Sequence, residues 1–183
     1  MTPRTSTPTD SETRFEAPVA SVSDQLIVRL TGDASSALPS RGQVAVTGTI
    51  DDHAFATVVE PDGLRGHWIK LGDLKPAPRT LAVGQQVTVT LTPAGDWPEP
   101  EVPDDLRAAL DAAPDLAELW TSITPMARWE WVRWVGATRN PATRAKRVDV
   151  SISKLRDGKR RPCCFDLAAC TDPELARSGK LID

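Results

Sequence analysis

Near residue 93 the sequence changes its hydrophobic period, and that change limits what the chain can fold into. Before it, Gln85-Gln86-Val87-Thr88-Val89-Thr90-Leu91-Thr92 alternates polar and apolar residues, which places Val87, Val89 and Leu91 on one face of a strand. After it, apolar residues recur three and four apart, the spacing of a helix. Between the two patterns, Pro93 to Pro103 holds four prolines and several acids. The segment 93–103 therefore reads as a stiff, extended linker.

Upstream of the linker, short β-rich runs follow one another: Leu26 to Leu30, Val44 to Ile50, Phe55 to Val59, His67 to Leu71 and Gln85 to Thr92. Turn chemistry separates them at Asp51-Asp52 and at Pro61-Asp62-Gly63. No long helix lies between these runs, so they cannot form a parallel sheet, whose crossovers need a dozen or more residues. A small antiparallel barrel over 15–92 is the expected result, because closure removes exposed edges. Gly48, inside a strand, marks a bulge or a sharp bend. His53 and His67 fall at strand ends and read as surface turn residues. Residues 1–14 are rich in Thr, Ser and Pro and read as a disordered lead.

Downstream, a helical unit of about four helices is expected over 104–160. Asp104 and Asp105 are placed to cap and complement a helix that carries Leu106, Ala109 and Leu110. Pro114 ends it, and Asp115 opens a second with Leu116, Leu119 and Trp120 on its buried face. Thr124-Pro125 and Asn140-Pro141 each pair a side-chain cap with proline at the first helical position. In the helix after Thr124, Ala127, Trp131, Trp134 with Val135, and Thr138 form one stripe. Trp129, Val132 and Gly136 form a smaller second stripe, with Gly136 read as a point of close packing. In the last long helix, Ala145, Val148, Ile152 and Leu155 form the apolar stripe, beside Arg144, Arg147, Ser151 and Lys154. Gly158 stops it. Asp172-Pro173-Glu174 starts one further turn in a polar tail over 161–183. The whole is an α+β chain, a small antiparallel β-barrel followed by a C-terminal helical unit.

The net charge of -3 conceals an asymmetry. From Arg128 to Arg161 eleven Lys and Arg face three acids, a local +8, which leaves -11 for the rest of the chain. Such a basic segment either faces the protein's own acidic part or attracts an anionic partner. No apolar run approaches the roughly 20 residues that span a bilayer. The N-terminus lacks the apolar stretch of a secretory signal, so a cytoplasmic location is expected. Cys163, Cys164 and Cys170 are too few and too crowded for a disulfide framework and are expected as reduced thiols. They also fall short of the four ligands of structural zinc, so no metal or other cofactor is expected. A redox thiol centre at Cys163/Cys164, beside Lys159-Arg160-Arg161, is the one exception to an otherwise non-enzymatic reading. There is no phosphate loop, no G-x-G-x-x-G and no nucleophile motif.

Candidate anion- or partner-binding residues gather at the Asn140-Pro141 corner: Arg139, Arg144, Lys146 and Arg147, with Trp129 off the main buried stripe. Their guanidinium groups suit carboxylates, either those of the protein's own loops or those of a partner. The helix beginning at Pro141 adds free backbone N–H groups. Trp131 and Trp134 read as core anchors. Nucleic acid is the alternative partner, with Arg144, Lys146, Arg147, Lys154 and Lys159 to Arg161 along a phosphate backbone and Trp129 on a base. Against it, no nucleic-acid-binding signature is present and the pI is about 5.5.

Residues 101–161 resemble the YdeI/OmpD-associated, or bacteriocin-protection, family. The resemblance lies in Val102-Pro103-Asp104-Asp105-Leu106 with Ala109-Leu110, in Glu130-Trp131 and Trp134-Val135, and in Arg139, Pro141 and Thr143-Arg144. It continues through Arg147-Val148 and Lys154-Leu155 to Gly158-Lys159. The chain departs from the family pattern where Gly136 and Ala137 replace two acids. Residues 15–92 resemble the small barrel domain of unknown function that often precedes that family, through Phe15, Val46 to Ile50, Phe55 and Val83-Gly84 before Val87. The resemblance implies a bacterial protein of stress or antimicrobial resistance that acts by binding. The expected partner is a cationic peptide taken up by the acidic barrel, or an acidic protein engaged by the basic helices.

Overall fold

The computed structural model describes residues 12–74, 76, 78, 80–162 and 172–182. Six strands close into an antiparallel barrel: β1 (Thr13–Val22), β2 (Gln25–Arg29), β3 (Val44–Ile50), β4 (His53–Pro61), β5 (His67–Lys70) and β6 (Gln86–Pro93). Their order around the barrel is β1-β2-β5-β4-β3-β6, with β6 paired back to β1. β1, β4 and β6 alternate in burial over most of their length, and Phe15, Ala17, Val19, Val46, Phe55, Val59, Val87, Val89 and Leu91 fill the interior. The hairpin turns at Ser23-Asp24 and Asp51-Asp52 place both central residues at positive φ, 47° and 65°, then 43° and 67°. That is the twist-matched two-residue hairpin turn, and Asp is among the residues that tolerate it. At Gly48 a Cβ would lie 1.9 Å from the Thr90 carbonyl oxygen, so the adjacent backbones approach as only glycine permits. A short helix, α1 (Gly32–Ser36), capped by Thr31, adds Ala34 to the barrel core, and Leu38 follows it there.

Two sequence expectations change here. Thr13 and Arg14, read as the end of a disordered lead, instead open β1, a full strand paired with both β2 and β6; Pro18, which supplies no N–H, weakens its signature in the sequence. His67 is 1% exposed rather than a surface turn residue. Alternation puts it with Ile69 on the inner face of β5. Its Nε2–H donates to the Gly42 carbonyl at 2.9 Å, so Nδ1 accepts the Ser35 hydroxyl at 2.6 Å.

Beyond the linker come α2 (Asp104–Asp111), α3 (Ala117–Ser122), α4 (Pro125–Gly136) and α5 (Pro141–Arg156). The two cap-plus-proline signals act as expected. Thr124 Oγ1 accepts from Ala127 N at 3.2 Å, and Asn140 Oδ1 accepts from Thr143 N at 3.0 Å. Gly158 has φ +77°, the left-handed residue just beyond α5. Asp104 and Asp105 stand in the first turn of α2, but Pro103 occupies the cap and makes no side-chain bond. Trp131, fully buried, packs with Ile123, Ala127 and Leu155. Its indole N–H donates to the Arg160 carbonyl at 3.1 Å and ties the segment just beyond α5 to α4.

The expected polar tail instead returns to the barrel. After the turn at 173–175, β7 (Ala176–Arg177) and β8 (Lys180–Leu181) form a small hairpin. Leu175 and Leu181 pack on Val22, Ile27 and Trp68, which point outward from the barrel. Leu181 N donates to the Asp62 carbonyl at 3.1 Å, and Lys70 Nζ meets Asp172 Oδ2 at 2.9 Å. The N-terminal lead up to residue 11 and the cysteines at 163, 164 and 170 lie outside the described residues.

Candidate functional site

Trp129, Val132, Arg133 and Gly136 are spaced by three and four residues, so they share one face of α4. Of these four, Val132 also packs against the helical cluster of Leu106, Val135 and Val148. The face looks across a cleft of about 690 Å³ toward the outer side of β4, where Ala56, Val58 and Glu60 alternate with the inward Phe55, Thr57 and Val59. The linker at 98–103, the segment at 72–73 and the turn at 172–174 complete the walls.

Gly136 opens on this space. A Cβ there would meet only Arg144 Nη1, at 3.9 Å, so the glycine marks open room rather than the close packing expected of it. Trp129 is half-buried and packs against Trp97 in a T-shaped arrangement, with ring centroids 5.2 Å apart and planes at 67°. The Arg133 guanidinium carbon lies 5.2 Å from the centre of the same indole.

Six carboxylates and three guanidinium groups line the cleft: Glu60, Asp73, Glu99, Glu101, Asp172 and Glu174 against Arg133, Arg139 and Arg144. Most have partners within the chain. Arg133 of α4 pairs with the nearly buried Glu60 of β4, an ion pair that joins barrel and helices. Arg128 holds Glu99 through two nitrogens, at 2.6 and 2.7 Å. Arg144 holds Asp105 in the same two-pronged way, at 2.6 and 2.9 Å. That hydrogen-bonded guanidinium keeps the Asp105 carboxyl below its usual range. Burial pushes the Asp172 carboxyl up, but Lys70 and the Glu174 backbone N–H outweigh it, and the net shift is downward. Burial likewise disfavours the charged Lys70, and Asp73 with Asp172 outweighs that, so its pKa rises.

The candidate residues from the sequence divide. Trp129, Arg139 and Arg144 line the cleft together. Arg147 does not: its Nη1 donates to the Trp134 carbonyl at 2.7 Å, and its guanidinium carbon lies 5.5 Å from the Trp134 ring centre. Lys154 approaches the same ring at 5.6 Å. Lys146 is exposed on α5, away from the cleft lining. Five of the eleven basic residues from 128 to 161 pair with carboxylates: Arg128, Arg133, Arg144, Arg156 with Asp115, and Arg161 with the buried Glu130. Four of those five acids lie outside the basic segment. Much of its charge is thus matched by the chain's own acidic part.

The carboxylates of the cleft are the residues that sequence reasoning missed. The acid-rich linker and the -11 outside the basic segment were their only signal. Among the described residues no group of three or more His, Cys, Asp or Glu is arranged to hold a metal ion. No described helix is long and apolar enough to cross a membrane.

Two family models match the chain. Residues 99–158 match the family model described as Bacteriocin-protection, YdeI or OmpD-Associated. Residues 15–91 match the model of a domain of unknown function, DUF1905. No curated protein matches the chain. The helical unit is thus similar to the bacteriocin-protection, YdeI or OmpD-associated family, and the barrel that precedes it to the DUF1905 family.

Proposed function

We propose that this protein is a non-enzymatic bacterial stress or bacteriocin-protection factor that works by taking a cationic peptide into the cleft between β4 and α4. One observation carries the reading: on a lining where carboxylates outnumber guanidinium groups, the exposed Glu174 has no close partner among the described residues, and it shares the cleft with a half-buried indole. An acid-rich concave wall concentrates cations, and its low-dielectric sides strengthen the field. Trp129, held between Trp97 and Arg133, adds apolar surface against which a side chain can pack. The family description supports a role in protection from bacteriocins.

The same geometry favours this reading over an acidic protein or nucleic acid at the basic helices. Those partners need a run of open positive charge, and six of the basic segment's eleven cationic residues are engaged by carboxylates or, in Arg147, by a carbonyl and a ring.

Calorimetric titration with a short Lys- and Trp-containing peptide, beside a control with Glu in place of Lys, tests the proposal. The cationic peptide binds, salt weakens it, and both Trp129→Ala and Glu174→Lys reduce its affinity. Equal heats from the two peptides, or retention on DNA with a steep salt slope and no peptide binding, would overturn it.

A further inference from the structure

Most charges in the cleft are answered inside the protein. Glu60 has Arg133, Asp73 and Asp172 have Lys70, Glu99 has Arg128, and Arg144 has Asp105. Glu101 is engaged within the chain as well. Two exposed side chains on the lining differ. Glu174, on the wall supplied by the returning tail, makes no side-chain hydrogen bond or close ion pair among the described residues; it reaches Lys70 only through the longer-range field. Arg139, beyond the end of α4, has no carboxylate or carbonyl partner among the described residues.

These two groups have opposite signs and reach one cleft from different segments of the chain. Glu174 belongs to the turn that carries Asp172, a carboxylate that feels Arg133. Arg139 lies six residues further along the chain than Arg133, next to the Asn140 cap of the sixteen-residue α5. The positive end of that helix adds to the pull on an anion there.

We infer that the cleft takes a ligand carrying both charges, the carboxyl-terminal end of a basic peptide, with its side-chain cation against Glu174 and its terminal carboxylate against Arg139. The inference rests on the peptide-binding reading above and narrows it. With their partners counted, seven acids face five bases around the cleft, and that excess disfavours extra side-chain carboxylates. The terminal carboxylate is the one negative charge that even a wholly basic peptide retains. Its planar shape suits a guanidinium, which can hold both oxygens at once.

Two peptides of one basic sequence separate the inference from its parent. One ends in a free carboxylate and the other in an amide. The amide has one more net positive charge, so an acid-rich cleft without the Arg139 contact would favour it. The inference expects the opposite: in the full chain the free acid binds about fivefold more tightly, the size of an exposed charge pair. In Arg139→Gln that preference disappears or reverses, while Glu174→Gln weakens both peptides alike. Both substitutions fall on exposed side chains without close partners, so folding is unaffected. Equal or tighter binding of the amide by the unaltered protein overturns the inference and leaves cationic-peptide binding standing. A preference for the acid that persists in Arg139→Gln also overturns it. Failure of both peptides to bind removes both readings.

Discussion

The barrel and the helical unit solve the same problem, covering apolar surface in a small volume, with different materials. In the barrel every strand has two hydrogen-bonded neighbours, and the interior is filled by Val, Leu, Ile and two Phe side chains, from Phe15 to Leu91. Closure satisfies the backbone without help from charge. The helical unit has no such closure. It rests on Trp131 with a handful of aliphatic neighbours, and it ties its segments with side-chain pairs: Arg144 to Asp105, Arg156 to Asp115 and Arg161 to Glu130. A closed sheet distributes its stability over many residues. A small bundle concentrates it in a few large rings and uses charge to choose its geometry.

The largest test of that contrast is Trp131→Ala. Removing a fully buried indole costs about 3–5 kcal/mol, and it also leaves the Arg160 carbonyl without its donor. Denaturant unfolding followed by near- and far-ultraviolet circular dichroism should show the helical signal lost first and the strand signal persisting. Coincident loss of both would show that barrel and helices unfold as one unit, and the contrast would fail.

Next is the ion pair that joins the two regions. Arg133→Met strips the partner from Glu60, whose side chain is 6% exposed, and a buried carboxylate left alone costs about 3 kcal/mol. The paired change Glu60→Leu with Arg133→Met should recover most of that loss. If the single change leaves the thermal midpoint unaltered, the pair does not hold barrel to helices.

A smaller effect distinguishes the barrel by pH. Burial lowers the pKa of His67 below that of an exposed imidazole, despite the opposing help of the Gly42 carbonyl. The unfolded chain takes up this proton near pH 6.5, before the folded chain does. Below that pH the unfolded state therefore binds more protons, and stability falls as the pH drops. Urea midpoints from pH 7.5 down to pH 5 should decline more steeply in the unaltered protein than in His67→Gln. Parallel curves would mean that the buried ring does not control the barrel's response to acid.

The smallest effect belongs to Arg156→Gln. Its pair with Asp115 is half-exposed on both sides, and exposed pairs of this kind contribute little. No resolvable change in the thermal midpoint is expected. A clear drop would show that even surface charges hold the bundle, which would sharpen the contrast with the barrel.

Local chemistry was readable in advance. The alternation from Val87 to Leu91, the Asp51-Asp52 turn and the caps at Thr124-Pro125 and Asn140-Pro141 each depend on residues within one or two turns of one another. β1 was less legible because Pro18 interrupts its pattern, although Phe15, Ala17 and Val19 alternate inward. His67 was misjudged at a strand end, where the two-residue period through Ile69 already placed it inside. Half of the candidate site was visible as well. Trp129 was set apart from the core stripe, and Arg139 and Arg144 were grouped at the corner. The carboxylates they face were not visible, because they come from β4, the linker and the tail.

The sequence alone thus determined the kinds of element and their order: period-2 strands, a proline-rich divide, then capped helices. Those are properties of neighbours along the chain, governed by backbone geometry and side-chain spacing. Only the tertiary structure decided which charges meet. Arg133 finds Glu60 across 73 residues, and Lys70 finds Asp172 across 102, because closing the barrel and returning the tail to its outer face bring them within reach. A charge's partner depends on distance in space, and nothing in a linear spacing encodes that distance before the chain has folded.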